Sequence, residues 1–577
     1  MYPEIHRLRF VLAAASAITL LVISGMLMLG VTNASSAMVS HRFTDINPGA
    51  SSANPYSFTR VGGDLYFTAS DGQHGSEIWR LSDGRTEMVA DVNPGKHGSE
   101  PGYLTAFQGQ LYFRAYSEAT GVEMWRTDGE TTELLYDIAP GDESSEPYSP
   151  TVLGDRLIFT ADNGTSGSEP WMFDGNTLAL VQDLRAGAVG SYPAGYTALG
   201  DYLYFRADNG VLGTELYRTD GNSATLVANI SPGASSSGPE DFTRFGDYLY
   251  FSATNGVGDE MWRTNGSSTA IVKDLYPGAN GSSPTHFTVM GDHLYFRATD
   301  GVTGLELWRT DGAVPAANVE PVADILPGAG SSYPGQFAVM GGHLYFQAEN
   351  GPVGEELWRT AGTGAEMVGD IAPGPEDSNP AGLITFGSSV YFIANDGTHG
   401  SEVWSTNGGQ PHLVRDILEG SDGSSPNQFT VYGNSIYFSA DDGVSGTEIW
   451  RVTGDSTVKV KLPSAAVRVD RFGRASLKVR CAASEISGPC RGTVVVKTRS
   501  KVKTGGKRRQ VVIGKALFTA EPGKAGRVSL KLSPKVRRLV RKSGQARRVS
   551  VRVKARDGVG NTSTLTRNAR LTGPGAR

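Results

Sequence analysis

At a nearly constant spacing, nine triplets along this chain place an aromatic ring two residues after a glutamate. The triplets begin Glu77-Ile78-Trp79, Glu123-Met124-Trp125, Glu169-Pro170-Trp171, Glu215-Leu216-Tyr217 and Glu260-Met261-Trp262. They continue with Glu306-Leu307-Trp308, Glu356-Leu357-Trp358, Glu402-Val403-Trp404 and Glu448-Ile449-Trp450. Successive aromatics lie 46, 46, 46, 45, 46, 50, 46 and 46 residues apart, and all eight tryptophans sit at this position. A fixed period in the 40s marks a repeat architecture, in which each unit buries its apolar faces against its neighbours. A feature common to every unit serves the fold. Function is to be sought where the units differ, or in what flanks them.

One unit shows the pattern. After Asp274-Leu275-Tyr276-Pro277-Gly278 and Ser282-Ser283-Pro284 comes the apolar run Phe287–Met290, then a turn at Gly291-Asp292. Leu294–Ala298 is a second run, Glu306–Arg309 a third and Glu320–Ile325 a fourth, separated by Asp300-Gly301 and Asp311-Gly312. Asp-Gly between apolar runs signals a hairpin, because both residues tolerate positive φ. Four short antiparallel strands per 46 residues describe one propeller blade. The expected fold is all-β, with a nine-unit propeller over 42–455. The segment Phe43–Gly49 matches a fourth strand and its exit loop, and the ninth unit lacks its own exit motif. This predicts that a strand at Phe43–Ile46 completes the last blade. The alternatives are a fourth strand at 457–460, an open array, or two smaller rings.

The motif Glu306-Leu307-Trp308-Arg309-Thr310-Asp311-Gly312 and the loop Asn395–Glu402 resemble the exported bacterial ELWxxDGT repeat family. The resemblance spans about residues 42–455 and implies an exported repeat protein. It assigns no activity, since that family is defined by its sequence. The departures are local: Tyr217 for tryptophan, Pro170 for the aliphatic residue, and Ser117-Glu118-Ala119 for Asp/Asn-Gly.

Each repeated glutamate starts its third strand beside a Gly-rich loop. The expectation is a structural role, with the carboxylate accepting N–H bonds from the Asp/Asn-Gly-x-x-Gly turn. Calcium is the alternative, for which Asp442 and Glu448 are the candidate oxygen ligands; no other cofactor is expected. The repeated aromatics read as core packing, with a carbohydrate-stacking platform as the alternative. No nucleophile elbow, zinc-protease helix or phosphate loop is present.

Composition divides the chain. Residues 456–577 hold 32 Lys and Arg against four acids, a net +28, while the remainder holds 21 against 55, a net −34. His6, Arg7 and Arg9 precede an apolar run from Phe10 to about Val31, with Ala34 and Ala37 as cleavage points. Residues 1–37 therefore read as a signal peptide, or else as an uncleaved membrane anchor, and the protein as secreted or at the cell surface. In that compartment Cys481 and Cys490, the only cysteines, form a disulfide.

Residues 458–577 alternate apolar and basic residues and read as a small, immunoglobulin-like β-sandwich. The stretch from Ser533 to Lys542 is either a short helix or an extended basic loop. The basic residues Lys501, Lys503, Lys507, Arg508, Arg509, Arg537, Arg538, Arg541 and Lys542 point to a polyanion: an acidic cell-wall polymer, an anionic glycan or another polyanion. Few aromatics interleave with them, which disfavours specific nucleic-acid recognition. The expected function is a non-enzymatic binding or surface-interaction protein, with a protein partner on the propeller face a further candidate. The competing class is a secreted hydrolase or lyase acting in the propeller channel.

Overall fold

A computed structural model describes residues 39–314, 317–453, 460–462, 466–481, 490–504, 506–521, 524–544, 546–556 and 562–574. The N-terminal segment read as a signal or anchor, residues 457–459 of the alternative closing strand and the turn at 557–561 lie outside the described residues.

The described residues between 39 and 453 form nine four-stranded antiparallel sheets, eight of them ordered first to fourth strand as in the sequence. In blade one the strands are Tyr56–Val61, Asp64–Ser70, Ser76–Ser82 and Arg85–Ala90. The first strand of each blade neighbours the first strand of the next all the way round. Tyr56–Val61 lies against both Gly102–Phe107 of blade two and Asn427–Tyr432 of blade nine, so the ring closes.

The second strands explain why their sequence is apolar on consecutive residues. Alternate side chains point to opposite faces of a strand, and here both faces are covered by a neighbouring blade. Leu65 and Phe67 pack back onto Tyr437 and Ile449 of blade nine. Tyr66 packs forward with Ile78 onto Leu111 and Phe113 of blade two. The core of the propeller therefore lies between blades. The repeated aromatics belong to these layers: Trp308, Trp404, Trp450 and Tyr217 are buried, and the other tryptophans are half-buried against the neighbouring blade.

Blade nine is built from both ends of the repeat region. Its fourth strand is Val39–Arg42, paired antiparallel with Thr447–Thr453 in the register Ser40↔Val452 and Arg42↔Trp450. This lies four residues before the expected strand at Phe43–Ile46. The reason is local: Ile46 and Asn47 donate their N–H groups to the Glu448 carboxylate at 2.9 and 3.1 Å, so this segment is already the exit loop. The alternative closing strand is excluded at its one described residue, because Val460 pairs with Cys481 in the C-terminal module.

That module has an apolar core of its own, from Leu462 to Leu571. The sandwich expected there takes the form of one half-barrel sheet of eight strands. Its hydrogen-bonded path runs Val460–Lys461, Arg474–Cys481, Ala466–Val469, Thr562–Thr572, Arg548–Arg556, Cys490–Thr498 and Val512–Ala520. Ala525–Lys531 joins on Arg474–Cys481. The parallel pairing of Ala466–Val469 with Thr562–Thr572 links what would otherwise be two layers. Cys481 and Cys490 are joined in a disulfide that closes a nine-residue separation. Pro534–Lys542 is helical: Pro534 sits at the first turn, where no N–H is required, and the Ser533 hydroxyl accepts from the Val536 N–H. Among the described residues no helix is long and apolar enough to cross a membrane.

Candidate functional site

All nine repeated glutamates accept hydrogen bonds from the exit-loop side of their own blade junction. Antiparallel alternation places the loop between strands two and three on the same face as the loop that exits to the next blade. The two loops pack so closely that a Cβ on Gly75 would come within 2.3 Å of the Gly98 backbone, which is why both are glycine. Each glutamate is buried beneath this junction. Glu77 accepts from the Ser99 hydroxyl at 2.6 Å, the Ser99 N–H at 2.8 Å and the Val92 N–H at 3.2 Å. Glu306 repeats this with Ser332 at 2.6 and 3.0 Å and Ile325 at 2.9 Å.

The donors are therefore the exit loop and its serine, and not the Asp/Asn-Gly turn expected from the sequence. That turn is satisfied by its own first residue: Asp300 Oδ1 accepts from the Val302 and Thr303 N–H groups at 2.8 and 2.9 Å. The calcium candidates are engaged in the same way. Asp442 caps Val444 and Ser445, and Glu448 takes the two N–H groups of the N-terminal segment. Among the described residues no group of three or more His, Cys, Asp or Glu is arranged to hold a metal ion. Burial raises the carboxyls of Glu77, Glu123, Glu306 and Glu402 above the ordinary range, and pushes those of Glu356 and Glu448 up to about 7.

Of the basic residues, the structure gathers some and separates others. Val502–Thr504 and Lys507–Arg509 form a two-stranded hairpin in which Lys503 and Arg508 are direct cross-strand partners. The hairpin faces the helix Pro534–Lys542 across a groove of about 620 Å3, lined by Lys503, Arg508, Lys535, Arg538 and Lys542, with Val502 and Leu539. The helical three lie at i, i+3 and i+7, on one face. All five cations are exposed, and among the described residues none has a carboxylate within ion-pair distance. Like charges directly opposite on a hairpin, or three and four apart on a helix, oppose folding. Both walls of this groove carry such pairs.

Arg537 points elsewhere, donating to the Arg471 carbonyl at 3.1 Å. Lys501, Lys507, Arg509 and Arg541 are exposed outside the groove lining. Lys535 is a groove residue that the basic runs did not flag, since it stands apart from the Arg-Arg and Arg-Lys pairs. The i, i+3, i+7 spacing within a helix is the signal that would have found it.

A second candidate lies where no sequence motif marks it. The first strands line the central channel, and each carries a β-bulge just after its first residue, seen as a register shift between Tyr56 and Thr59 and at every equivalent place. The bulged residue has positive φ in all nine blades. Two blades place glycine there, Gly195 and Gly382. The others keep side chains: Ser57, Ser149, Asp241, Gln336 and Gln428, and the bulky Tyr103 and His286, at φ 53° and 61°. A second left-handed residue precedes the proline of each exit loop and includes Glu146, Tyr192 and Tyr333.

Around Tyr103 the channel opens into a cavity of about 640 Å3, bordered by Ser149, Gly195, Arg206, Glu240 and Asp241. A smaller one of about 300 Å3 adjoins His286, Gln336 and Gly382. The Arg114 guanidinium lies 5.1 Å over the Tyr103 ring and 3.0 Å from Glu146, and Arg206 pairs with Glu240. Burial pushes the His286 imidazole below its usual range, and nearby Arg297 adds to the effect.

No family model matches this chain, and no curated protein matches it. Solved structures show similarity in fold alone. A prolyl endopeptidase is similar at 11% identity and a TM-score of 0.37, over 75% of this chain and 58% of its own. PorZ, a surface component of the type-IX secretion system of Porphyromonas gingivalis, is similar at 12% identity and a TM-score of 0.33, over 89% and 75%. The β-propeller domain of the Trilobed protease from Pyrococcus furiosus is similar at 10% and 0.30, over 55% and 96%.

Proposed function

We propose that this is an exported, non-enzymatic binding protein, in which the propeller is a rigid scaffold and the C-terminal module attaches to an anionic polymer such as an acidic cell-wall polysaccharide. The observation that carries this reading is the groove between hairpin and helix. Five cations converge there in like-charge pairs that work against folding and are relieved when phosphate or carboxylate groups enter. The net +28 of residues 456–577 supports it, since a magnitude of about 2–8 is ample for the solubility of a small domain. Export rests on the basic and apolar N-terminal sequence and on the disulfide.

The test is binding of the full chain to inorganic polyphosphate across a salt series. Affinity falls steeply with salt, because bound polymer releases counterions. The triple variant Lys503→Gln, Arg508→Gln, Arg538→Gln loses about tenfold or more in affinity at moderate salt, with a shallower salt slope. The control triple Lys501→Gln, Lys507→Gln, Arg509→Gln, outside the groove lining, loses less. Equal losses from both triples would reduce the groove to bulk charge, and salt-independent or absent binding would overturn the reading.

A further inference from the structure

The channel cavity has a chemistry opposite to that of the basic groove. Its bordering charges are Arg206, Glu240 and Asp241, a net −1, and no lysine is among them. Arg206 is engaged by Glu240, and Arg114 by Glu146 and the Tyr103 ring. This wall therefore offers a polyanion no surplus of positive charge. An extended peptide is disfavoured for a different reason. To add to the innermost strands it needs a regular row of N–H and C=O groups, and the bulge near the start of every first strand breaks that row.

What remains is a surface of mixed polarity around an aromatic ring. Tyr103 is 47% exposed, although it sits at the inner wall of the molecule. Its ring is held by the Arg114 guanidinium, which is itself fixed by Glu146 at 3.0 Å. Asp241 is exposed, and among the described residues its carboxylate takes one long bond, of 3.4 Å from the His286 backbone N–H, which leaves acceptor capacity toward the cavity. Ser149 adds a hydroxyl. Donors, acceptors and a flat apolar face lie together with the charge nearly balanced. Hydroxyl groups both donate and accept, and the C–H face of a sugar ring covers an aromatic ring.

Backbone conformation gives an independent argument. Gly195 and Gly382 show that glycine fits the bulge position without strain. Tyr103 occupies the same conformation at φ 53°, where a bulky side chain is disfavoured. Its ring is not buried in a core that would compensate. Strain kept at a surface-exposed side chain is a mark of binding sites.

We propose that the channel arc around Tyr103 binds an uncharged oligosaccharide, with the Tyr103 ring as stacking face and Asp241, Ser149 and the Arg206–Glu240 pair as hydrogen-bonding groups. This is a second site, independent of the basic groove in both place and ligand class.

The experiment is calorimetric titration of the full chain with cellohexaose, maltohexaose and mannohexaose, at low salt and at about 0.3 M salt, where surface charge is largely screened. At least one hexaose binds with an affinity that salt leaves unchanged. Tyr103→Gly and Asp241→Asn each weaken it by about tenfold or more, a change of about 1.4 kcal/mol. Lys503→Gln with Arg508→Gln leaves it unaltered. Tyr103→Gly keeps a melting temperature at or above the parent's, so its loss of binding cannot be ascribed to unfolding. The proposal is overturned if none of the three sugars binds, if binding survives both channel substitutions, or if only polyphosphate is bound in a Tyr103-dependent way.

Discussion

Ala53 stands where eight other units place a serine. In those units the serine hydroxyl donates to the repeated glutamate, as Ser99 does to Glu77 and Ser424 to Glu402 at 2.6 and 2.7 Å. Ala53 is fully buried, and Glu448 is left with the N–H groups of Ile46 and Asn47. Ala53→Ser is expected to supply the missing donor and raise stability by about 0.5–1.5 kcal/mol in denaturant titration. Glu306→Gln should lower it by about 1–3 kcal/mol, because an amide NH2 then faces backbone donors. Chelator should leave both proteins' melting temperatures unchanged, and a collapse restored by calcium would reassign these loops as metal sites.

The carboxyls of Glu356 and Glu448 are pushed up to about 7 by burial, against an ordinary value of 4.5. The folded state then binds more protons than the unfolded state between those two pH values. Their contribution to stability is complete below about 4.5 and is lost as pH rises through 7. The melting temperature should accordingly be higher near pH 5.5 than near pH 8. A rise toward alkaline pH would show that the N–H and hydroxyl donors, rather than burial, dominate these sites. The glutamates were legible in the sequence because they recur. Their partners were misassigned because two loops open on the same face, and periodicity does not say which of them donates.

At the level of the element, the first strands carry the information that the repeat conceals. Their existence and order follow from apolar runs and Asp-Gly turns. Their bulges do not, because a register shift arises from how a strand turns into the ring and leaves no fixed residue type behind: the bulged position holds tyrosine, histidine, serine, glutamine, aspartate or glycine. Tyr103→Gly removes a left-handed bulky residue and should stabilise the fold by about 1 kcal/mol, read as a shift in denaturant midpoint. A loss of stability would mean that the ring serves packing. The basic hairpin is the converse case. Its residues were all visible as charge, but which of them share a groove depended on the helix at Pro534–Lys542, whose sequence permitted an extended loop as readily.

At the scale of the whole molecule, the repeat count and the charge division were both readable in the chain. Nine aromatics at near-constant spacing became nine blades, and the offset of exit motifs against third strands foretold that the two ends of the repeat meet. The four-residue error in the closing strand came from matching the exit motif and overlooking that the strand precedes it. Closure joins Val39–Arg42 to Thr447–Thr453 and brings Ile46 into the layer between blades nine and one. It leaves no open seam between first and last blades, and the two channel cavities depend on that ring. The most direct measurement is calorimetric unfolding of a variant lacking residues 39–49. A closed ring predicts a clear fall in the melting temperature of the whole propeller with loss of cooperativity, because the Glu448 carboxylate loses its donors and the last interblade layer opens. A melting temperature and transition width equal to those of the parent would contradict the closed nine-blade propeller.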